Sequence, residues 1–344
     1  VLDIFILPLS MIHASIIIVY KSVFKRVKQM AVLISGGYGL LGSWLAYEFT
    51  THGQEVIVLD VVRKKLDYLE ELDEKITYVE ASVLDFPRLV EIFTKYRDKI
   101  SGIINTIAVM ATPSFWRDPH RSLNLNIMGT VNTLEIARLF HIDKYLYVSS
   151  GAVYGELEEN AHEEKHSPHP SDLYGASKAS AEFIGQQYAN HYNIDYRCVR
   201  PYFFFGPGKF PSEQPFLFKN LLGPLEGLEG LHLEKGADQK LGFTYVKDVA
   251  HGTYLLYNAK DPRHHTMNIA SEEAVSFLEI VRLARTYSDT PTEVQIGPGK
   301  LFPRGETLDI SIAKEEFDFS PSYGIEDAMK EYAEWIRRNK KEQR

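Results

Sequence analysis

Tyr174 and Lys178 lie four residues apart in the segment YGASK. On a helix that spacing puts two side chains on one face, one turn from each other. An unperturbed phenol, with a pKa of about 10, is a poor base at neutral pH, and an ammonium beside it can lower that value enough to make it a general acid/base. Ser150, in SSGAVYG, adds a hydroxyl that can donate to a reactant's oxygen and hold it beside Tyr174. A tyrosine four residues before a lysine is common in ordinary helices. The pair acquires chemical meaning from what precedes it.

What precedes it is a nucleotide-binding unit. The apolar run AVLIS (31–35) has strand length, GGYGLLG (36–42) follows at once, SWLAYEFTTHG reads as a helix ended by Gly53, and EVIVLD (55–60) is a second strand ending in an acid. Gly36, Gly39 and Gly42 let the backbone approach a pyrophosphate at a helix N-terminus. The Asp60 carboxylate suits a ribose 2′-hydroxyl and repels a 2′-phosphate, which favours NAD over NADP; Arg63, Lys64 and Lys65 pull the other way. Further strands are expected at 76–80, 102–108, 144–150 and 196–205, alternating with helices, so the fold class is α/β, a doubly wound parallel sheet of Rossmann type. The stretch 155–172 reads as an acidic surface loop. Its His162, His166 and His169 match no metal-ligand spacing, so no metal is expected.

Composition sets outer bounds. The 344 residues are 44% apolar and 24% charged with a net charge of −8, as for a globular chain of about two domains, and the acidic balance argues against nucleic acid. The single cysteine, Cys198, cannot form an internal disulfide, so a cytoplasmic setting is expected. Residues 1–20 are largely apolar and Lys21, Lys25, Arg26 and Lys28 follow, as in a membrane anchor. The preferred reading treats residues 1–29 as an extension upstream of Met30, where strand 1 begins.

From about residue 31 to 340 the chain resembles the extended short-chain dehydrogenases/reductases, the NAD-dependent epimerase/dehydratases. The likeness rests on SGGYGLLG, NLNIMGTVNTLEIAR, SSGAVYG, YGASK, RPYFFFGPG, GFTYVKDVA and MNIASEEAVSFLEI, in that order. It implies Tyr174 as acid/base, Lys178 also bonding the nicotinamide ribose, and Ser150 as third catalytic member. It places Gly36, Gly39, Leu40, Leu41, Gly42, Asp60, Ser82, Val83, Asn105, Ala108, Asn126 and Pro201 around the cofactor, Asn126 as a structural or relay position. It further implies a Rossmann domain (30–205 and about 243–269) with a smaller C-terminal α/β substrate-binding domain (about 206–242 and 270–344). A homodimer would form through a four-helix bundle from the helices around 121–140 and 172–191.

Several positions depart from the pattern. Where nucleotide-sugar members carry an asparagine that helps hold the diphosphate, this chain has Phe203, and an expected arginine before FTYV is replaced by Leu241, with Lys240 the nearest cation. A diphosphate against two apolar groups would lose charge-assisted bonds worth about 1.5–3 kcal/mol each. Ser82 stands for an adenine-contacting acid and Asn105 for a histidine. Arg304, in PRGE, resembles the C-terminal arginine that grips a nucleotide. Strand parity assigns Tyr202 and Phe204 to the core and Phe203 to a pocket wall. Three readings follow: an NAD-dependent oxidoreductase acting on a secondary alcohol or ketone less phosphorylated than a nucleotide sugar, a nucleotide-sugar epimerase or dehydratase, and a non-catalytic NAD sensor. The substrate-side candidates are Phe203, Leu241 and Arg304.

Overall fold

Strand β1 (Ala31–Ser35) is buried at every position, and its alternate residues divide between two cores: Val32 and Ile34 face one, Ala31 and Leu33 the other. A strand covered on both faces needs apolar side chains throughout, which is why the sequence shows runs and not alternation. The same split holds for β2 (Glu55–Asp60), with Val56 and Val58 against Ile57 and Leu59. In this computed structural model, which describes residues 30–110 and 112–342, these strands belong to one parallel sheet. The expectations for residues 1–29 lie outside the described residues. Among the described residues no helix is long and apolar enough to cross a membrane.

The sheet continues with β3 (Ile76–Glu80), β4 (Ile100–Asn105), β5 (Lys144–Val148) and β6 (Asp195–Pro201). Four short strands follow in chain order before its last member: β7 (Phe204–Phe205), β8 (Leu231–Leu233), β9 (Lys240–Leu241) and β10 (Thr244–Tyr245); then comes β11 (Thr266–Ile269). The order is β11-β6-β5-β4-β1-β2-β3, all parallel. The strand order reverses beside β1, and the crevice at the carboxyl ends of β1 and β4 is where such sheets bind ligands. Outside the sheet, β7 pairs with β10, β9 with β12 (Val275–Ser276) and β8 with β13 (Val294–Ile296).

Three expected strands end early, each for an identifiable reason. The backbone leaves β4 after Asn105, as the Thr106 hydroxyl turns back to the Ser35 carbonyl at 2.8 Å. β5 stops at Val148 because Ser150 caps a 3₁₀ turn, Gly151–Tyr154. The run 196–205 breaks at Tyr202, and Phe204–Phe205 pair elsewhere. The segment 155–172 is less exposed than expected: Ala161 bridges to Leu308, and His162 is buried. Of the two helices for which a bundle was expected, Gly129–Leu139 exposes Leu139 and Leu173–Tyr192 exposes Leu173, Phe183 and Tyr192.

Candidate active site

The helix Leu173–Tyr192 carries both Tyr174 and Lys178. Asp172 caps it, accepting from the Gly175 N–H at 2.6 Å. A Cβ on Gly175 would sit 2.5 Å from the Ala152 carbonyl oxygen, so the glycine is what lets this helix press onto the Gly151–Tyr154 turn. That contact brings Tyr174 to Ser150. Lys178, 1% exposed, donates to the Val148 carbonyl at 2.8 Å and lies 4.8 Å from the centre of the Tyr147 ring. Behind them, Arg200 makes a bidentate pair with Glu182 of the same helix, at 2.6 and 3.0 Å, and donates to the Tyr154 hydroxyl at 2.8 Å. The helix that carries Tyr174 and Lys178 is thus tied to β6 and to the turn after β5.

The electrostatics differ from the expectation that Lys178 lowers the pKa of Tyr174. Burial pushes the Tyr174 phenol up to about 12, while contact with the Ser150 hydroxyl draws it the other way. Burial likewise brings the Lys178 ammonium down to about 8. Desolvation penalises the charged form of each group, and the lysine's charge is engaged by the Val148 carbonyl and the Tyr147 ring.

Two cavities meet here. The larger, of about 380 Å³, is lined by Ser150, Tyr174, Pro201, Tyr202, Phe203, Phe302 and Arg304 among others. The smaller, of about 120 Å³, is lined by Gly39, Leu40, Leu41, Gly42, Ala108, Lys178 and Lys209 among others. Tyr174, Ser149, Met110, Phe204, Pro215 and Phe218 line both. The phenol stands at their junction.

The smaller cleft fits a dinucleotide. Gly36 has φ +78°, and a Cβ on Gly42 would fall 2.1 Å from the Gly36 carbonyl oxygen, so these positions require glycine. Asp60 ends β2 with its carboxylate accepting from the Tyr38 and Val61 N–H groups, at 3.0 and 2.7 Å. The cations that could have held a 2′-phosphate are paired with acids: Arg63 with Asp73 at 2.8 Å, Lys64 with Glu213 at 3.7 Å and Lys65 with Glu70 at 3.1 Å. Ser82 accepts from the Leu84 N–H at 3.2 Å, and Val83 is buried in the core against the position of Gly129.

Some candidates are placed elsewhere. Asn105 is 1% exposed and its amide is consumed by the protein, accepting from Ser35 and Ile107 and donating to Thr130 and Tyr145. It braces the sheet and has no capacity left for a cofactor. Asn126, in a π-helical turn Asn124–Met128, clamps the backbone of Val109 and the Ser177 hydroxyl, at 2.8–3.0 Å. Leu241 is fully buried, pairs with Val275 in β9–β12 and does not line the larger cavity. As a substrate contact it is corrected: its neighbours are core side chains.

The parity argument for the aromatic run fails in part. Phe203 lines the large cavity as expected, but so do Tyr202 and Phe204; Tyr202 is also buried in the core as expected, and the second ring that joins the core is Phe205 in place of Phe204. The cause is backbone: Phe203 has φ +31°, in the left-handed region, so the strand alternation is broken there. Its ring packs against Tyr202, Phe218, Phe243 and Phe302. Arg304 lies over Phe302 and Phe203, 5.3 and 6.0 Å from the ring centres, and its buried Nε has no partner.

Sequence reasoning missed four contributors. Ser149 has a buried hydroxyl without a partner facing both cavities, and only its place beside Ser150 could have flagged it. Lys209 enters the smaller cleft directly after the Gly-Pro-Gly turn. Trp116 and Phe216, both about half exposed, stand on the wall of the larger cavity and carry no motif.

Comparison with known proteins fits this arrangement. Residues 32–270 match the model of the NAD dependent epimerase/dehydratase family. A UDP-glucuronate 4-epimerase of Thermodesulfobacterium geofontis is 25% identical over 324 residues, covering 89% of this chain and 96% of the relative. A dTDP-D-glucose 4,6-dehydratase of Dictyostelium discoideum is 31% identical over 214 residues, covering 56% of this chain and 48% of the relative. The crystal structure of a UDP-glucose 4-epimerase of Thermotoga maritima with UDP-glucose superposes with a TM-score of 0.79 at 25% identity, covering 90% of this chain and 99% of that one. The family model spans the glycine turn, Ser150, Tyr174 and Lys178 together, and the chain therefore belongs to the NAD dependent epimerase/dehydratase family, enzymes whose cofactor is NAD.

Proposed function

We propose that the protein is an NAD-dependent oxidoreductase acting on a secondary alcohol or ketone, with Tyr174 as acid/base. The observation that carries this is the position of Tyr174 on the walls of both cavities, where a reactant on one side and a cofactor on the other would share it. Bound NAD would accept or return the hydride. The Gly36–Gly42 turn and Asp60 would hold it, with Lys178 beside its nicotinamide ribose. Ser150 would position the reactant oxygen, and Tyr174 would take the alcohol's proton in oxidation and return it in reduction.

The larger cavity favours a reactant with an apolar body and few charges. Phe203, Phe204, Phe216, Phe218, Leu301 and Phe302 line it, and Arg304 is the sole cation among its lining residues. A 340 nm assay with NAD and a panel of hydroxy compounds is expected to show net NADH. Tyr174→Phe should lower turnover by about 10²–10⁴-fold with NAD affinity nearly intact. Unchanged turnover in that variant would remove Tyr174 from the chemistry.

The second reading is a nucleotide-sugar epimerase or dehydratase. It is favoured by the named relatives and by Arg304, which lines the cavity and whose buried Nε has no hydrogen-bond partner among the described residues. A transient keto species would then return its hydride within one binding event. The same assay separates the two, since UDP-sugars would be converted with no NADH released.

A further inference from the structure

The segment after the aromatic run is fastened on two sides. Trp44 Nε1 donates to the Pro207 carbonyl at 2.7 Å, and the Tyr332 hydroxyl donates to the Lys209 carbonyl at 2.6 Å. Between them Gly208, at φ +114°, has no room for a side chain: a Cβ would lie 2.6 Å from the Tyr68 hydroxyl and 3.4 Å from Leu40. This mount sets Lys209 against the start of the helix Leu40–Thr51, and Lys209 lines the small cleft together with Gly39, Leu40, Leu41 and Gly42.

The positive groups at this point lack direct partners within the protein. The helix has no acid in its first turn and no side-chain cap at Gly39, so its N–H groups and its positive dipole end are uncompensated. Among the described residues the Lys209 ammonium makes no hydrogen bond or ion pair. Burial depresses its pKa and the Lys64 charge opposes it further, while the acids that attract it, Glu213 and Asp60, are engaged by Lys64 and by backbone N–H groups. Two positive elements withdrawn from water and turned to one cleft repel unless an anion lies between them.

We propose that Lys209 binds the diphosphate of the dinucleotide, completing from the Gly206–Phe210 segment the site begun by the Gly36–Gly42 turn. The assignment rests on the dinucleotide reading of the cleft. A lysine is a point charge suited to phosphate oxygens, and here it is delivered by a stretch whose next residues, Pro215 and Phe218, line both cavities.

Calorimetric titration of the full chain with NAD, ADP, adenosine and 2′,5′-ADP tests it, using wild type, Lys209→Met and Lys209→Arg. Loss of a charge-assisted contact should weaken NAD and ADP by about tenfold or more in Lys209→Met and leave adenosine unchanged. Lys209→Arg should stay within about threefold of wild type. The proposal is overturned if Lys209→Met binds NAD and ADP like wild type, or if it loses affinity for 2′,5′-ADP alone, which would move the lysine to the ribose end. The ligand-free melting midpoint of Lys209→Met should equal or exceed that of wild type, because a desolvated cation has been removed. If that variant unfolds, Lys209→Gln takes its place under the same criteria. A wild type that binds neither NAD nor ADP would fail the dinucleotide reading itself, whereas wild-type binding with unaltered variants fails Lys209 alone.

Discussion

The two cavities that meet at Tyr174 are made of different materials. The smaller borders backbone at Gly39 and Gly42 where a helix starts, in the turn that also holds Gly36 and whose Tyr38 N–H donates to Asp60 at the end of β2. The larger is largely side chain, an assembly of aromatic rings from the β6–β7 link, the helix Phe216–Glu226 and the 301–304 segment. Backbone geometry tolerates little change in residue type, so a site made from it serves one ligand and is spelled by short motifs. Rings can be exchanged one at a time. The difference teaches that specificity for the reactant resides in the part of the molecule where a motif says least.

The largest expected effect lies on the backbone side. In Gly42→Ala the new methyl would meet the Gly36 carbonyl oxygen at 2.1 Å and the Gly37 Cα at 2.8 Å, and neither can yield as a side chain could. Overpacking of this kind costs about 3 kcal/mol, and it distorts the turn that faces the cofactor. NAD affinity measured by calorimetry should fall by well over tenfold. A variant that binds NAD normally would show that the cleft is less dependent on backbone than this contrast requires.

A smaller effect is expected at the junction, from Lys178. Its folded pKa of about 8 lies below its ordinary value because burial disfavours the ammonium. Between about pH 8 and 10.5 the unfolded chain therefore holds a proton that the folded chain has released, and stability rises with pH across that window. Below it the buried charge is a constant burden, and above it both states are neutral. Lys178→Met should be the more stable protein at pH 7, by about 1–3 kcal/mol, with the gap closing as pH rises through the window in urea denaturation. A gap independent of pH would mean that the Val148 carbonyl and the Tyr147 ring keep the lysine charged.

How far the molecule could be read in advance follows the same division. The positions of the first six sheet strands along the chain, the glycine turn, Asp60 at the end of β2 and the one-face placement of Tyr174 and Lys178 were all legible, because period and spacing determine them locally. Strand ends were not, since the breaks after Asn105 and Pro201 come with partners far along the chain, and the break after Val148 comes from a short capped turn that apolar periodicity does not show. Leu241 was misplaced because its position in a motif says nothing of the β9–β12 pairing that buries it. Arg304 was legible only through its motif, whereas Phe302, Trp116 and Lys209 reach the cavities through tertiary packing, and single positions in irregular or one-turn segments carry no periodic signal.

The smallest expected effect isolates what holds the aromatic wall in place. A phenylalanine at φ +31° is strained, and conformations of this kind cost about 1–3 kcal/mol when a side chain is present. Phe203→Ala would remove the ring contacts with Tyr202, Phe218, Phe243 and Phe302 yet keep the strain, because alanine retains a Cβ. Phe203→Gly removes the same contacts and the strain together. In an ordinary strand glycine is the worse of the two by about 0.5–1 kcal/mol. Here the order should reverse, with the glycine variant more stable than the alanine variant by about 1 kcal/mol in urea denaturation. If alanine is instead the better replacement, the positive φ belongs to a turn that any side chain accepts, and the ring is held in the cavity wall by its packing alone.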